Sequence, residues 1–159
     1  MHLRYLVLFL WCLTSIASGD NAATHVVGVT DGDTITILDA DREQHKVRLA
    51  GIDAPEKKQP FGQRSKEHLS DLVFGKDVTL VCGKIDRYSR DICVVYIGGK
   101  DANLAQVEAG LAWWYRKYAK EQTPQQRVDY EAAETRAKAA RRGLWADAEP
   151  VPPWEWRHR

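Results

Sequence analysis

The feature that most constrains this chain is a long alternating run, THVVGVTDGDTITILDADREQHKVRLAGID, over residues 24–53. Apolar and polar side chains alternate with a period of two, the pattern of strands with one buried face. The breaks fall at TDGD and DADREQ, both rich in the Asp and Gly that tight turns need. The run therefore divides into strands over 24–29, 34–38 and 45–50. In the third, Val47 and Leu49 share one face, so Arg48 points to the other.

Further along, GQRSKEHLSDLVFGK reads as a helix with an apolar stripe of Leu69, Leu72 and Val73, stopped by Gly75. DVTLVCG and DICVVYIGG are two more strands, separated by the polar loop KIDRYSR. NLAQVEAG is a short helix ended by Gly110, and LAWWYRKYAKEQ reads as an aromatic-rich loop. The last helix is well punctuated. Thr123 is its N-cap, Pro124 takes the first helical position, Gln126 completes a capping box, and the helix runs to Gly143. The ending, LWADAEPVPPWEWRHR, carries too many prolines for regular structure. Five short strands with a helix between the third and fourth suit an α+β, mainly β fold: a five-stranded Greek-key barrel of the OB type, with three helices. Pattern alone leaves a mixed α+β sandwich open.

The start of the chain has a different character. MHLRYLVLFLWCLTSIASG has one basic residue, Arg4, then an apolar run over residues 5–13, then small residues. That order is expected of a cleaved signal peptide over 1–19, with cleavage after Gly19. The run is too short for a membrane anchor, which needs roughly 20 apolar residues. The reading is therefore an exported protein, periplasmic or extracellular, with no stable membrane association. Its 159 residues make one domain, over 20–149, with a Pro/Trp-rich tail over 150–159, and it is expected to be a monomer.

Without Arg4 the chain carries 22 basic and 22 acidic residues. A nonspecific coat for nucleic acid is usually more basic, so any polyanion binding must come from a local arginine cluster. Two cysteines remain, Cys82 and Cys93, near facing ends of the fourth and fifth strands. In an exported protein they are expected to form one disulfide.

Three polar clusters gather what phosphodiester hydrolysis requires. They are TDGDT at the first turn, RLAGIDAPE running from the third strand into the turn behind it, and DRYSR in the loop between the fourth and fifth strands. Taken singly, each is an ordinary turn or solvated loop. Together, Asp33 and Asp53 offer two carboxylates to a hard divalent cation. Glu56, close behind Asp53, is a candidate base for an attacking water. Arg48 and Arg90 offer planar, permanently charged groups to the oxygens of the phosphoryl group. Whether the clusters meet depends on the fold.

In their order and intervals, DGDT, RLAGIDAPE, DRYSR and GLAW resemble the staphylococcal nuclease family, over residues 26–145. The resemblance implies a five-stranded OB-fold barrel with three helices and a calcium-dependent nuclease acting on DNA and RNA. It implies that Asp33 and Asp53 are the calcium carboxylates. Ala54 stands where the best-known member has threonine, and there the backbone carbonyl is the ligand. The resemblance makes Glu56 the residue that positions or deprotonates water. It makes Arg48 and Arg90 the phosphate-binding pair, and Arg87 and Tyr88 contacts to the nucleotide's terminal phosphate. Tyr118 matches a nucleotide-contacting tyrosine. That residue's usual partner falls on Arg116, with Tyr115 one step back.

Two other readings have their own discriminators. A non-catalytic OB-fold nucleic-acid-binding module would use aromatic and basic residues and has no need of Asp33, Asp53 and Glu56 together. A structural calcium protein gives no reason for two arginines beside the ion, and DGDTITILDADRE lacks the acidic spacing and central glycine of an EF-hand.

Overall fold

A computed structural model describes residues 24–159. The expected signal peptide over 1–19 lies outside the described residues. The three N-terminal strands are β1 (Thr24–Asp31), β2 (Thr34–Leu38) and β3 (Gln44–Leu49), joined as antiparallel neighbours. A two-residue strand β4 (Ile52–Asp53) follows, then helix α1 (Gly62–Val73). Strands β5 (Asp77–Ile85) and β6 (Asp91–Ile97) form the second hairpin, and β7 (Lys100–Asp101) extends its edge. The strand order is β3-β2-β1-β5-β6-β7. β6 also returns in parallel to β3, opposing Arg48 to Ile92 and Leu49 to Cys93. This contact closes the five long strands into a barrel, so the α+β, mainly β OB-type architecture expected from the strand pattern is the one the chain adopts. Register shifts in β1, between Val26 and Gly28 and between Val29 and Asp31, bend that strand around the barrel.

Val26, Ile35, Val47, Leu49 and Val95 are fully buried and fill the interior. Helix α1 closes the barrel with Leu69 and Val73, both buried, while Leu72 is partly buried at the edge of the stripe. Helix α2 (Ala102–Glu108) is capped by Asp101, whose side chain accepts the Leu104 N–H. Helix α3 (Pro124–Ala139) has the reciprocal capping box of Thr123 and Gln126 with Pro124 at its start. It packs on the same core through Tyr130 and Ala133. No helix among the described residues is long and apolar enough to cross a membrane.

Three segments depart from the sequence reading; the first is helix α3, which stops at Ala139 instead of running to Gly143, with Arg141 in the left-handed region at φ +50°. The aromatic stretch after Gly110 is not a plain loop. Trp113–Trp114 forms strand β8, antiparallel to β4, and Arg116–Glu121 forms a 3₁₀ helix. The pairing partner lies some sixty residues away, so local periodicity carries no trace of it. The proline-rich ending also holds a fourth helix beyond the three expected, the single turn α4 (Pro153–Trp156). Its prolines stand at the cap and first positions, where a missing N–H costs nothing and the fixed φ suits helix entry.

Candidate active site

The first carboxylate is delivered by the β1–β2 turn. Gly32 packs so tightly there that an added Cβ would lie 1.8 Å from Ser65 Oγ and 2.8 Å from the Ala54 Cβ, which only glycine tolerates. The fully buried Gln106 fastens the turn by donating from Nε2 to the Gly32 carbonyl at 2.6 Å and to the Ser65 carbonyl at 3.0 Å. Asp33 is thereby held buried, its Oδ2 accepting the Ala54 N–H at 2.7 Å.

The second carboxylate comes from the chain reversal after β3. Gly51 has φ +72°, a left-handed conformation that glycine adopts without strain, and it turns the backbone back into β4. Asp53 is 1 % exposed and opposes Trp113 across the β4–β8 pair. Tyr115 is tied to the same corner, its N–H donating to the Gly51 carbonyl at 2.9 Å.

Arg48 joins the two carboxylates. Its Nη2 donates to Asp53 Oδ1 at 2.8 Å, and its Nη1 pairs with Asp33 Oδ2. Burial pushes this guanidinium below its ordinary value and the Asp53 charge opposes that shift, but arginine keeps its proton in either case. Glu56 lies on the rim, with 38 % of its side chain exposed.

Arg90 is supplied by the β5–β6 loop. Its Nε and Nη2 both reach Asp86 Oδ2, at 2.8 and 2.7 Å. Asp86 Oδ1 accepts the N–H groups of Tyr88 and Arg90 and so shapes the loop. Burial alone would raise the Asp86 carboxyl. The hydrogen bonds from Arg90 and Tyr88 outweigh it, and the group sits below the usual carboxylate range. Tyr88 is 64 % exposed, with the guanidiniums of Arg87 and Arg90 over its ring at 4.9 and 5.4 Å. Midway along this hairpin Cys82 and Cys93 are directly opposed and joined by a disulfide.

One groove of about 820 Å³ is lined by Asp33, Arg48, Asp53, Ala54, Glu56 and Arg90. Arg87, Tyr88, Tyr115 and Tyr118 line it too, so the fold brings together every site residue singled out from sequence apart from the disulfide. Tyr115 and Tyr118 meet edge to face at 5.1 Å. One face of Tyr115 is covered by Trp154, parallel to within 2° at 5.1 Å, while the exposed Tyr118 ring has the Lys84 ammonium 4.7 Å from its centroid. Asp33 and Asp53 form an all-oxygen pair, buried at the groove floor and held together by one guanidinium, so their chemistry fits a hard divalent cation. Another group of potential ligands, Asp39, Glu43 and His45, lies on the β2–β3 turn. There the Asp39 carboxylate is already engaged by the N–H groups of Asp41 and Glu43 and by His45.

Sequence reasoning missed Arg157 and Trp154, both on the groove wall. The signal was available: two tryptophans within three residues, Trp154 and Trp156, are costly to leave in water and mark a docked segment.

Comparison with known proteins places this geometry. The family model described as "Staphylococcal nuclease homologue" matches residues 46–147. An "Uncharacterized endonuclease" of Haemophilus influenzae is 42% identical over 153 residues, covering 96% of this chain and 83% of that protein. An "Uncharacterized endonuclease" of Escherichia coli O157:H7 is 44% identical over 135 residues, covering 84% of each chain. The "Micrococcal nuclease" of Shigella flexneri is 39% identical over 154 residues, covering 91% of this chain and 86% of that one.

Proposed function

We propose that this chain, which belongs to the staphylococcal nuclease family, is an exported calcium-dependent nuclease that hydrolyses phosphodiester bonds of both DNA and RNA. Nuclease function follows from the family and from its endonuclease and micrococcal nuclease relatives. The observation that carries the finer reading is the shared groove: two buried carboxylates bridged by Arg48, with Glu56 at the rim and Arg90 on the facing loop. A binding module has no use for that carboxylate set.

Asp33 and Asp53, with the Ala54 carbonyl, would hold the cation. When bound there, calcium would supply positive charge to the phosphate oxygens and polarise a water. Glu56 would accept a proton from the attacking water as its oxygen bonds to phosphorus and the ester P–O bond breaks. Arg48 and Arg90 would face the phosphoryl oxygens, where negative charge grows in the transition state. Tyr118, Tyr88 and Arg87 line the groove beyond and would contact the rest of the nucleotide. Arg48, Arg87 and Arg90 all line the one groove, which is the local arginine cluster that a chain of nearly balanced charge needs to bind a polyanion.

The disulfide and the signal-like sequence over 1–19 support export, because such bonds persist in oxidising compartments. The protein would act as a monomer. Glu56→Ala tests the mechanism. Turnover should fall by roughly 10²–10⁴. The melting temperature should barely move, since Glu56 is exposed and its ion pair is of the surface kind. A fully active alanine variant would remove Glu56 from the chemistry.

A further inference from the structure

The groove holds a guanidinium that the mechanism above does not use. Arg157 directs Nη2 to Asp53 Oδ2 at 2.7 Å and Nη1 to Glu56 Oε1, also at 2.7 Å. Nη1 lies 3.3 Å from Asp53 Oδ1 as well. These hydrogen bonds, Asp53 first, push the Arg157 group above its ordinary value. Asp53 therefore lies between two arginines, with Arg48 on Oδ1 and Arg157 closest to Oδ2 but also reaching Oδ1.

The segment carrying Arg157 is fastened to the domain. Gln59 Nε2 donates to the Val151 carbonyl at 2.6 Å, and Pro153 is buried. Trp154 stacks on Tyr115 and meets Trp113 edge-on at 5.6 Å. Helix α4 is thus gripped on the groove wall, and Arg157 is its C-cap residue. A guanidinium held this way on both the candidate metal carboxylate and the candidate base belongs to the site.

We propose that Arg157 is a fourth substrate-binding arginine, beside Arg48, Arg87 and Arg90, which moves from the carboxylates to a phosphate oxygen of the substrate when a cation occupies Asp33 and Asp53. This rests on the nuclease reading and extends it by giving the Pro/Trp-rich segment a part in the substrate site. The argument is one of charge. Three carboxylates, Asp33, Asp53 and Glu56, are faced by the guanidiniums of Arg48 and Arg157. A divalent cation between Asp33 and Asp53 would replace the charge that the guanidiniums now provide. The displaced group would need another anion, and a phosphodiester in the same groove presents one in the planar geometry that a guanidinium matches. Arg157 is free to make the move. Its side chain is 41% exposed against 13% for Arg48, and it can swing on its long stem while α4 stays docked.

The test uses the full chain as wild type, Arg157→Ala and Arg157→Lys. Binding of a methylene-phosphonate dinucleotide, which cannot be hydrolysed at the bridging carbon, is measured calorimetrically with saturating calcium. Calcium binding alone and steady-state cleavage of single-stranded DNA are measured alongside. Arg157→Ala should weaken phosphonate binding by about 10- to 100-fold, the scale of a charge-assisted hydrogen bond. It should lower kcat/KM to match and leave calcium affinity unchanged or tighter. Lysine should restore part of the loss. Unchanged phosphonate affinity with faster cleavage at limiting calcium would overturn the proposal and make Arg157 an inhibitory plug. No change in either measurement would make it an inert ion pair. If the wild type cleaves nothing, the nuclease reading fails, and phosphonate binding still decides the role of Arg157.

Discussion

Arg48 shows how much one side chain can set in this site. It faces away from the barrel interior because Val47 and Leu49 face into it, and the Gly51 reversal then brings Asp53 onto its Nη2. A single planar fork spans two carboxylates from separate turns, Asp33 and Asp53. Lysine offers a point charge and cannot bridge both. Arg48→Lys should therefore depress kcat more than it raises KM, because the planar group matters most where charge develops. Steady-state kinetics on a DNA substrate decide it. A rise in KM alone would mean that Arg48 binds substrate and transition state equally.

At the scale of elements, the site hangs on packing that lies outside the groove. Glu134 of α3 is 1 % exposed and accepts the Trp114 N–H at 3.1 Å, which fixes β8, and β8 fixes the β4 strand carrying Asp53. A comparable joint is Asp101, whose Oδ1 caps α2 and whose Oδ2 accepts the buried Tyr130 hydroxyl at 2.9 Å. Burial raises the Asp101 carboxyl above its usual value, and the hydrogen bonds from Leu104 and Tyr130 partly offset this. Asp101→Ala should destabilise by about 2–4 kcal/mol, combining a lost cap with an orphaned hydroxyl. Asp101→Asn keeps one acceptor oxygen for the Leu104 N–H and turns its amide N–H toward the Tyr130 hydroxyl, which can rotate to accept, so it should cost less. Thermal melts of the two variants check the order, and equal losses would argue against the hydrogen-bond account. Elements of this kind divide by how local their causes are. The β1–β3 meander, the α1 stripe and the Thr123 capping box were legible because alternation, helical spacing and capping chemistry all act within a few residues. The β4–β8 ribbon and α4 were not, because Trp113 finds Asp53, and Trp154 finds Tyr115, only after the chain has folded. The candidate site was readable as three clusters of residue types. Its arginine from the last helix was hidden in a segment whose prolines suggested no structure at all.

At the scale of the whole molecule, barrel closure ties stability to the site. The β5–β6 hairpin carries Arg87, Tyr88 and Arg90 on its loop, and its β6 strand also closes the barrel against β3. The Cys82–Cys93 disulfide spans 11 positions across that hairpin. Reducing it should lower stability by about 3 kcal/mol in the chain-entropy picture. It should also loosen the arginine loop, so that substrate affinity falls along with the melting temperature. Paired melts and kinetics of the Cys82→Ala, Cys93→Ala variant measure both, and unchanged values would deny the link. The central claim, that Asp33 and Asp53 hold a cation for phosphodiester hydrolysis, is tested most directly by one assay of the purified protein on DNA and RNA. Cleavage is followed in calcium, then in excess chelator, then with calcium restored. The account predicts cleavage that stops on chelation and returns with calcium, whereas equal cleavage in calcium and in chelator would contradict it.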